Sequence, residues 1–133
     1  MNCTDRAYLA GYVDGEACVG VYGRSPLLVI SSCFLPTLRC IAAEYDVNVL
    51  SYPPRACQSK DVHVIRITKV DTVRRMLMDL LPYLREKRQE AVVMLRYLAY
   101  RRIALTSSRR KRSQFDLCVD KHFEDKLKAM KQQ

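Results

Sequence analysis

Asp14 and Glu16 stand out chemically because they follow a run of small and apolar residues that predicts a helix. The partial negative charge at the C-terminal end of a helix disfavours acidic side chains there. Local rules of this kind are broken most often at functional sites. Carboxylate oxygens bind Mg²⁺, and metal ions beside a phosphodiester stabilise its attacking and leaving oxygens. The two acids therefore indicate metal-dependent phosphodiester hydrolysis, with an ordinary turn bearing exposed acids as the alternative.

The same predicted helix carries small residues on one face, since Ala7, Gly11 and Gly15 follow each other at intervals of four. A glycine inside a helix costs about 1 kcal/mol relative to alanine, so two of them need a reason. Close approach of a second helix is such a reason. The chain contains no second copy of this segment, so the expected partner is the same helix of a second chain, related by a two-fold axis.

Positive charge is concentrated in one part of the chain. The formal net charge is +9, and residues 85–112 contain ten Lys and Arg but only two Asp and Glu. Such a field is typical of a protein that meets a polyanion, either nucleic acid or an anionic membrane. A solvated helix face with a basic loop, or a basic structural protein of an RNA particle, would explain the charge but not the helix glycines.

Length, composition and cysteine spacing exclude several other classes. A chain of 133 residues with 49% hydrophobic residues predicts a single domain over 1–133. Its apolar runs are too short for a membrane span or a signal peptide, so no membrane partner is expected. The six cysteines form no CxxC pair, and neither histidine has a cysteine at zinc-ligand spacing. Reduced, packed thiols in an intracellular compartment are therefore expected.

The apolar spacing predicts an α+β domain with an antiparallel sheet and the element order α-ββ-α-ββ-α-α-α. The core is expected over about 4–105, and a basic loop with a last helix over 106–133. The predicted helices are 5–16 capped by Thr4, one starting near Pro36, one capped by Asp71 and ended by Pro82, 84–105, and a final one after the loop. The predicted strands are 18–22, 27–33, 47–52 and 62–68, with a turn over 23–26.

The run from Tyr8 to Glu16, YLAGYVDGE, resembles the LAGLIDADG signature of the homing endonucleases, and the element order is also that of the family. One copy of the motif resembles the homodimeric branch. The resemblance implies an α-ββ-α-ββ-α fold whose curved four-stranded sheet binds DNA, followed by C-terminal helices. It implies a homodimer that binds a long pseudo-palindromic double-stranded site and hydrolyses one phosphodiester per strand in intron homing. A non-cleaving relative, either an RNA-splicing maturase or a DNA-binding regulator, is the alternative.

The resemblance also implies roles for individual residues. Glu16 would bind Mg²⁺, with Mn²⁺ or Ca²⁺ as possible substitutes, and the carbonyl of Ala17 would assist, although the family usually has glycine there. Lys87, in a segment that looks like the family's "PYL..K", would lie near the scissile phosphate. Ser32 is the first choice for the third catalytic position and Ser31 the second. The dimer interface would contain Ala7, Ala10, Gly11, Asp14 and Gly15, and Asp14 would have a structural role.

The expected DNA contacts fall into two groups. Strand parity predicts that one face of the sheet reads base edges in the major groove, with Arg66 as the best single candidate because it interrupts an apolar strand. The first hairpin is mostly apolar, so uneven discrimination along each half-site is expected. The candidate reading residues are Tyr22, Arg24, Ser51, Arg55, Gln58, Lys60, Arg66 and Thr68. The candidate phosphate contacts are Arg85, Arg88, Arg109, Arg110, Lys111 and Arg112. The host compartment would be a phage or bacterial cytoplasm or an organelle.

Overall fold

The computed structural model describes residues 1–56, 59–107 and 114–131, with residues 102–107 described by their backbone only. The predicted α+β class and the predicted element order are confirmed. A short 3-10 turn, Leu81–Tyr83, joins α3 to α4. The elements are α1 Cys3–Glu16, β1 Ala17–Tyr22, β2 Ser25–Ser32, α2 Leu35–Tyr45, β3 Val49–Tyr52, β4 Val62–Ile67, α3 Val70–Leu80, α4 Arg88–Ser107 and α5 Gln114–Lys131.

Two predicted helix caps are wrong. Helix α1 is capped by Asn2, whose side-chain oxygen accepts the backbone N–H of Asp5 at 2.8 Å, while the Asp5 carboxylate accepts the N–H of Asn2 at 3.3 Å. This reciprocal pair satisfies two N–H groups at once, which Thr4 would not do. Helix α3 begins at Val70, so Asp71 lies in its first turn and not at the cap position.

The first hairpin turns more tightly than the sequence predicts. Gly23 and Arg24 have φ values of 57° and 70°, so both turn residues are left-handed. A two-residue turn of this kind matches the right-handed twist of the strands that it joins. Ser25 and Pro26 therefore pair with β1 and belong to β2, whereas the sequence predicts them in the turn.

The sheet is antiparallel, with the order β1-β2-β4-β3, so β1 and β3 are its edges. Alternate residues face the helices and form the core, among them Val19, Leu28 and Ile65. We call the opposite side the outer face. By strand alternation and register, the outer face consists of Cys18, Gly20, Tyr22, Ser25, Leu27, Val29, Ser31, Leu50, Tyr52, Val62, Val64 and Arg66.

The C-terminal helices complete the core. Helix α4 packs on α3, and α5 packs on both α4 and the edge strand β1. Inside this contact the hydroxyl of Tyr97 donates to the carboxylate of Asp120 at 2.6 Å, and both side chains are buried. In the part of the chain that the structure describes, no helix is both long and apolar enough to cross a membrane.

Candidate functional site

Glu16 lies where α1 runs directly into β1. It is the last residue of α1 and is exposed, whereas Ala17 begins β1 and is buried. The N–H of Ala17 donates to the carbonyl of Val13, and its φ of −94° is an ordinary extended value. Because any residue adopts this conformation, alanine in place of the usual glycine leaves the turn into the strand intact.

Asp14 has a different environment, although it is only two residues from Glu16. Its carboxylate accepts the backbone N–H of Arg85 at 2.9 Å and that of Lys87 at 3.0 Å. Hydrogen bonds to a charged acceptor are stronger than neutral ones. The two hydrogen bonds to Asp14 hold residues 84–87 outside a helix. Helix α4 therefore begins at Arg88 and not at residue 84 as predicted. Asp14 thereby positions the Lys87 backbone beside the C-terminal end of α1.

The ligand chemistry at this end of α1 fits a divalent cation. Carboxylate and carbonyl oxygens are the ligands that Mg²⁺ takes, and Glu16 and Ala17 supply both. Over residues 1–56, 59–107 and 114–131, no three His, Cys, Asp or Glu side chains gather into a metal site. A single described chain therefore presents Glu16 as one acidic ligand, since Asp14 is committed to backbone N–H groups.

The small-residue face of α1 is open to solvent. A Cβ atom added at Gly11 or Gly15 would meet nothing within 4 Å among the described residues. Packing among the described residues therefore does not require a glycine at either position. The opposite face of α1 is buried in the core and includes Ala10, which is fully buried. The predicted place of Ala10 in a dimer interface is wrong, because its side chain is covered by its own chain.

The two serines proposed for the third catalytic position lie on opposite faces of the sheet. Ser32 pairs with His63 on the helix side, and its hydroxyl oxygen accepts the N–H of Phe34 at 3.0 Å. Ser31 lies on the outer face, and the β1–β2 register, extended by one residue, places it opposite Glu16. Of the two serines, Ser31 is therefore the one on the outer face, and the role of either in catalysis stays a prediction.

Arg66 lies on the outer face, exposed, as predicted. It lines a shallow hollow together with Ser31, Tyr52 and Arg55. Ser51 does not join them, because it faces the helix side and bonds to Nδ1 of His63 at 2.8 Å. The expectation that Ser51 shares a face with Arg66 is wrong.

The other predicted DNA contacts that the structure describes lie near the outer face or the small-residue face. Tyr22, Lys60 and Thr68 are exposed around the sheet. Arg85 and Arg88 line a groove beside the small-residue face of α1. Gln58 and the run Arg109, Arg110, Lys111 and Arg112 lie outside the described residues.

Arg24, at the tip of the first hairpin, is held from behind by the C-terminal helices. Its carbonyl accepts a hydrogen bond from the Arg101 guanidinium at 2.8 Å and lies 3.5 Å from the Tyr97 hydroxyl. Arg101 is mostly buried and forms an ion pair with Asp120 at 3.8 Å. These contacts fix the left-handed backbone of Arg24 and leave that residue exposed.

Sequence reasoning missed two lysines of α5. The ammonium groups of Lys128 and Lys131 lie 5.7 and 5.9 Å from the centre of the Tyr22 ring. Residues 113–133 contain similar numbers of basic and acidic side chains. Their net charge therefore did not indicate that two of the lysines lie beside the sheet. Their spacing of three, which places them on one side of the helix, was the available signal.

Comparison with solved structures finds one fold repeatedly. The structure of the homing endonuclease I-CvuI in complex with the I-CreI target covers 96% of this chain and 82% of its own, with a TM-score of 0.70 and 17% identity. The homing endonuclease I-TnaI covers 96% and 95%, with a TM-score of 0.66 and 14% identity. The DNA-bound LAGLIDADG meganuclease I-AabMI covers 82% of this chain but only 40% of its own, with a TM-score of 0.59 and 17% identity. No protein-family model and no curated protein matches the sequence.

Proposed function

We propose that this chain, which has the LAGLIDADG homing endonuclease fold, is a homodimeric member of that family that cuts a long double-stranded DNA site. Each protomer would hydrolyse one phosphodiester of a pseudo-palindromic target, as intron homing requires. The observation that carries the proposal is the arrangement at the end of α1. There the motif's two acids are divided between a backbone contact, made by Asp14, and an exposed carboxylate, that of Glu16.

The metal would be held by the Glu16 carboxylate and the Ala17 carbonyl of each chain. Mg²⁺ is the expected ion, with Mn²⁺ or Ca²⁺ as substitutes, and when bound it would neutralise charge on the phosphate oxygens. Lys87 supplies a further cation, whose backbone Asp14 fixes beside α1. A positioned cation near developing charge stabilises the transition state. The Ser31 hydroxyl, on the outer face, would orient a water molecule.

Dimerisation would complete the site, because one described chain provides a single free acid there. The open face of α1, formed by Ala7, Gly11 and Gly15, is smooth enough for two helix backbones to approach closely. A two-fold crossing at this face would bring the two Glu16 residues toward each other. Arg85 and Arg88, which line the groove beside the same face, would then lie next to the scissile region.

DNA would lie against the outer face of the sheet. Arg66, Arg55 and Lys60 would supply donors to base edges and phosphates, and Tyr22, Arg24 and Thr68 would surround them. The five cysteines that the structure describes are exposed free thiols, so the prediction that they pack as small hydrophobic residues is wrong. We infer an intracellular, reducing compartment, such as a phage or bacterial cytoplasm or an organelle, where free thiols persist.

The test is selection of cut sequences from a randomised duplex library with Mg²⁺ and the purified full chain. Recovery of one enriched, pseudo-palindromic site with defined ends supports the endonuclease. The same library with EDTA is the control for metal dependence. Enrichment of bound but uncut DNA would instead identify the chain as the non-cleaving regulator, and the absence of any DNA enrichment would overturn the proposal.

A further inference from the structure

Helix α5 places two lysines at the β1 edge of the outer face. The ammonium of Lys131 lies 3.2 Å from the sulfur of Cys18, which belongs to the outer face. The ammonium groups of Lys128 and Lys131 lie 5.7 and 5.9 Å from the centre of the Tyr22 ring. Cations at this distance are attracted to an aromatic ring. Both lysines are therefore held beside the sheet surface and not directed away from it.

Tyr22 is the platform for this pair. A Cβ atom at Gly20 would lie 2.4 Å from a Tyr22 ring carbon, so the ring rests on its own strand at a position that only glycine leaves open. The ring thus covers the outer face of β1 at Gly20. The two ammonium groups lie next to the ring at the edge of the sheet. This positions the cations at an edge and not in the middle of the face.

The outer face needs cations at this edge if it lies in a DNA groove. Four strands spaced about 4.8 Å apart span roughly 14 Å, close to the width of about 12 Å of the major groove. The two sheet edges would then lie beside the two phosphate backbones. Arg55 and Lys60 supply positive charge in the loop between β3 and β4, but within the outer face the one charged residue that the described register places there is Arg66.

Lys128 remains charged and accessible. Its ammonium donates to the Glu124 carboxylate at 2.8 Å, and this hydrogen bond raises the pKa of the lysine above its ordinary value. The pair is solvent-exposed, and exposed ion pairs contribute little to stability. Lys128 could therefore exchange the Glu124 carboxylate for a DNA phosphate oxygen at little cost in free energy.

We propose that Lys128 and Lys131 form a phosphate-binding site at the β1 edge, gripping the sugar-phosphate backbone of bound DNA without regard to sequence. The site rests on the proposed DNA binding and extends it to α5. It also gives Tyr22 a positioning role: its ring supports the two cations that reach the backbone.

The matched control for these lysines is Lys126, an exposed lysine of the same helix. One residue along a helix turns the side chain by about 100°, so Lys126 and Lys128 project to opposite sides of the buried Leu127. Lys126→Gln removes the same charge as Lys131→Gln but does so away from β1.

The experiment measures the affinity of the full-length wild type and the variants for a labelled duplex of arbitrary sequence, over a range of salt concentrations. For Lys128→Gln and Lys131→Gln, alone and combined, the slope of log affinity against log salt should become shallower by about 0.9 for every phosphate that the protein no longer neutralises. Lys126→Gln should keep the wild-type slope. Circular dichroism confirms that the variants remain folded.

Two outcomes would overturn the site while leaving the proposed function in place. An unchanged slope in the double variant would show that these lysines touch no phosphate. An equal fall in Lys126→Gln would show that only net charge matters. If the wild type bound no duplex at any salt concentration, the proposed function would fail and this site with it. Wild-type binding without the lysine effect would remove the site alone.

Discussion

Asp14 and Glu16 show how strongly the surroundings of a residue decide its chemistry. Both are acids in the last turn of one helix, yet Asp14 accepts two backbone N–H groups and Glu16 is exposed. A carboxylate with both oxygens in hydrogen bonds stabilises structure, whereas an exposed one can take a cation. The division of labour depends on where residues 85–87 lie, and not on the identity of either acid.

Glu16→Gln should abolish cleavage and leave DNA binding largely intact. The amide has nearly the same shape but lacks the charge that holds a divalent metal. Plasmid cleavage in Mg²⁺ and duplex binding by fluorescence anisotropy measure the two properties separately. Glu86→Gln, which changes an exposed acid outside α1, is the control and should cut normally. Full activity of Glu16→Gln would remove this residue from the metal site.

Lys87→Met should slow the chemical step by roughly 100- to 1000-fold, the range for loss of one positioned group that stabilises transition-state charge. Methionine keeps much of the length of the side chain but not its charge. Single-turnover cleavage at saturating protein isolates this step from binding. Lys126→Met, far from α1 in sequence and on α5, is the matched control. A variant that bound DNA weakly but cut bound DNA at the normal rate would assign Lys87 to phosphate binding instead.

Arg66→Ala should relax base preference at one or two positions of each half-site, at a cost of roughly 1–3 kcal/mol if the contact is bidentate. Arg66 is exposed on the outer face, beside apolar neighbours such as Val29 and Val64 that offer no hydrogen bond. A cleavage profile over all single-base variants of the selected site is the measurement. Arg39→Ala on α2 should leave that profile unchanged, and an unchanged profile for Arg66→Ala would exclude base reading.

At the scale of elements, α1 has two faces with different functions. One face buries Leu9, Ala10 and Val13 in the core, and the other leaves Gly11 and Gly15 without packing neighbours in the described chain. The sheet is divided in the same way, into a helix-facing side and an outer face. The outer face is mostly apolar in both hairpins, and the donors of the second hairpin lie toward its loop. Hydrogen-bonded base reading is therefore expected near residues 55–60 and at Arg66.

Asp14→Asn should destabilise the link between α1 and the segment before α4. The amide has one oxygen acceptor, so one of the N–H groups of Arg85 and Lys87 would face an NH₂ group instead. Loss of a hydrogen bond to a charged group costs about 1.5–3 kcal/mol. Urea unfolding at fixed protein concentration measures this free energy. Asp71→Asn, in the first turn of α3, should cost less than about 1 kcal/mol.

The same substitution should lower cleavage, because the segment that carries Lys87 would lose one of its two hydrogen bonds to Asp14 while every proposed chemical group remains. If Asp14→Asn matched the wild type in both unfolding free energy and cleavage rate, the two hydrogen bonds would have no role in positioning Lys87.

At the scale of the whole molecule, Gly11→Val should convert a dimer into folded monomers that do not cleave. A Cβ at Gly11 meets nothing within the described chain, so the fold should tolerate valine, but two crossing helices would be pushed apart. Sedimentation measures the mass, and circular dichroism measures the helix content. Ala43→Val, the same kind of change on the exposed face of α2, should remain dimeric. A wild type that is monomeric and active at micromolar concentration would contradict the two-fold model.

Local patterns in the sequence determined the element order and the fold class. The alternation of apolar residues in the strands and their spacing in the helices are local properties, so a single sequence contains them. The run YLAGYVDGE also identified the resemblance and the expected site at Glu16, which the structure leaves exposed at the α1–β1 junction. A turn over 23–26 was predicted, but its restriction to Gly23 and Arg24 and the capping box at Asn2 were not, because their geometry depends on hydrogen bonds that spacing does not reveal.

Only the tertiary structure decided which residues from distant parts of the chain come into contact. Asp14 accepts hydrogen bonds from the backbone of Arg85 and Lys87, which follow it in the chain by 71 and 73 positions. Lys131 contacts Cys18, from which it is separated by 113 positions. Strand parity placed Arg66 on the outer face but misplaced Ser51, because the pairing of β3 with β4 determines which side it faces. Long-range pairing of this kind depends on how the elements pack together, and no local pattern records it.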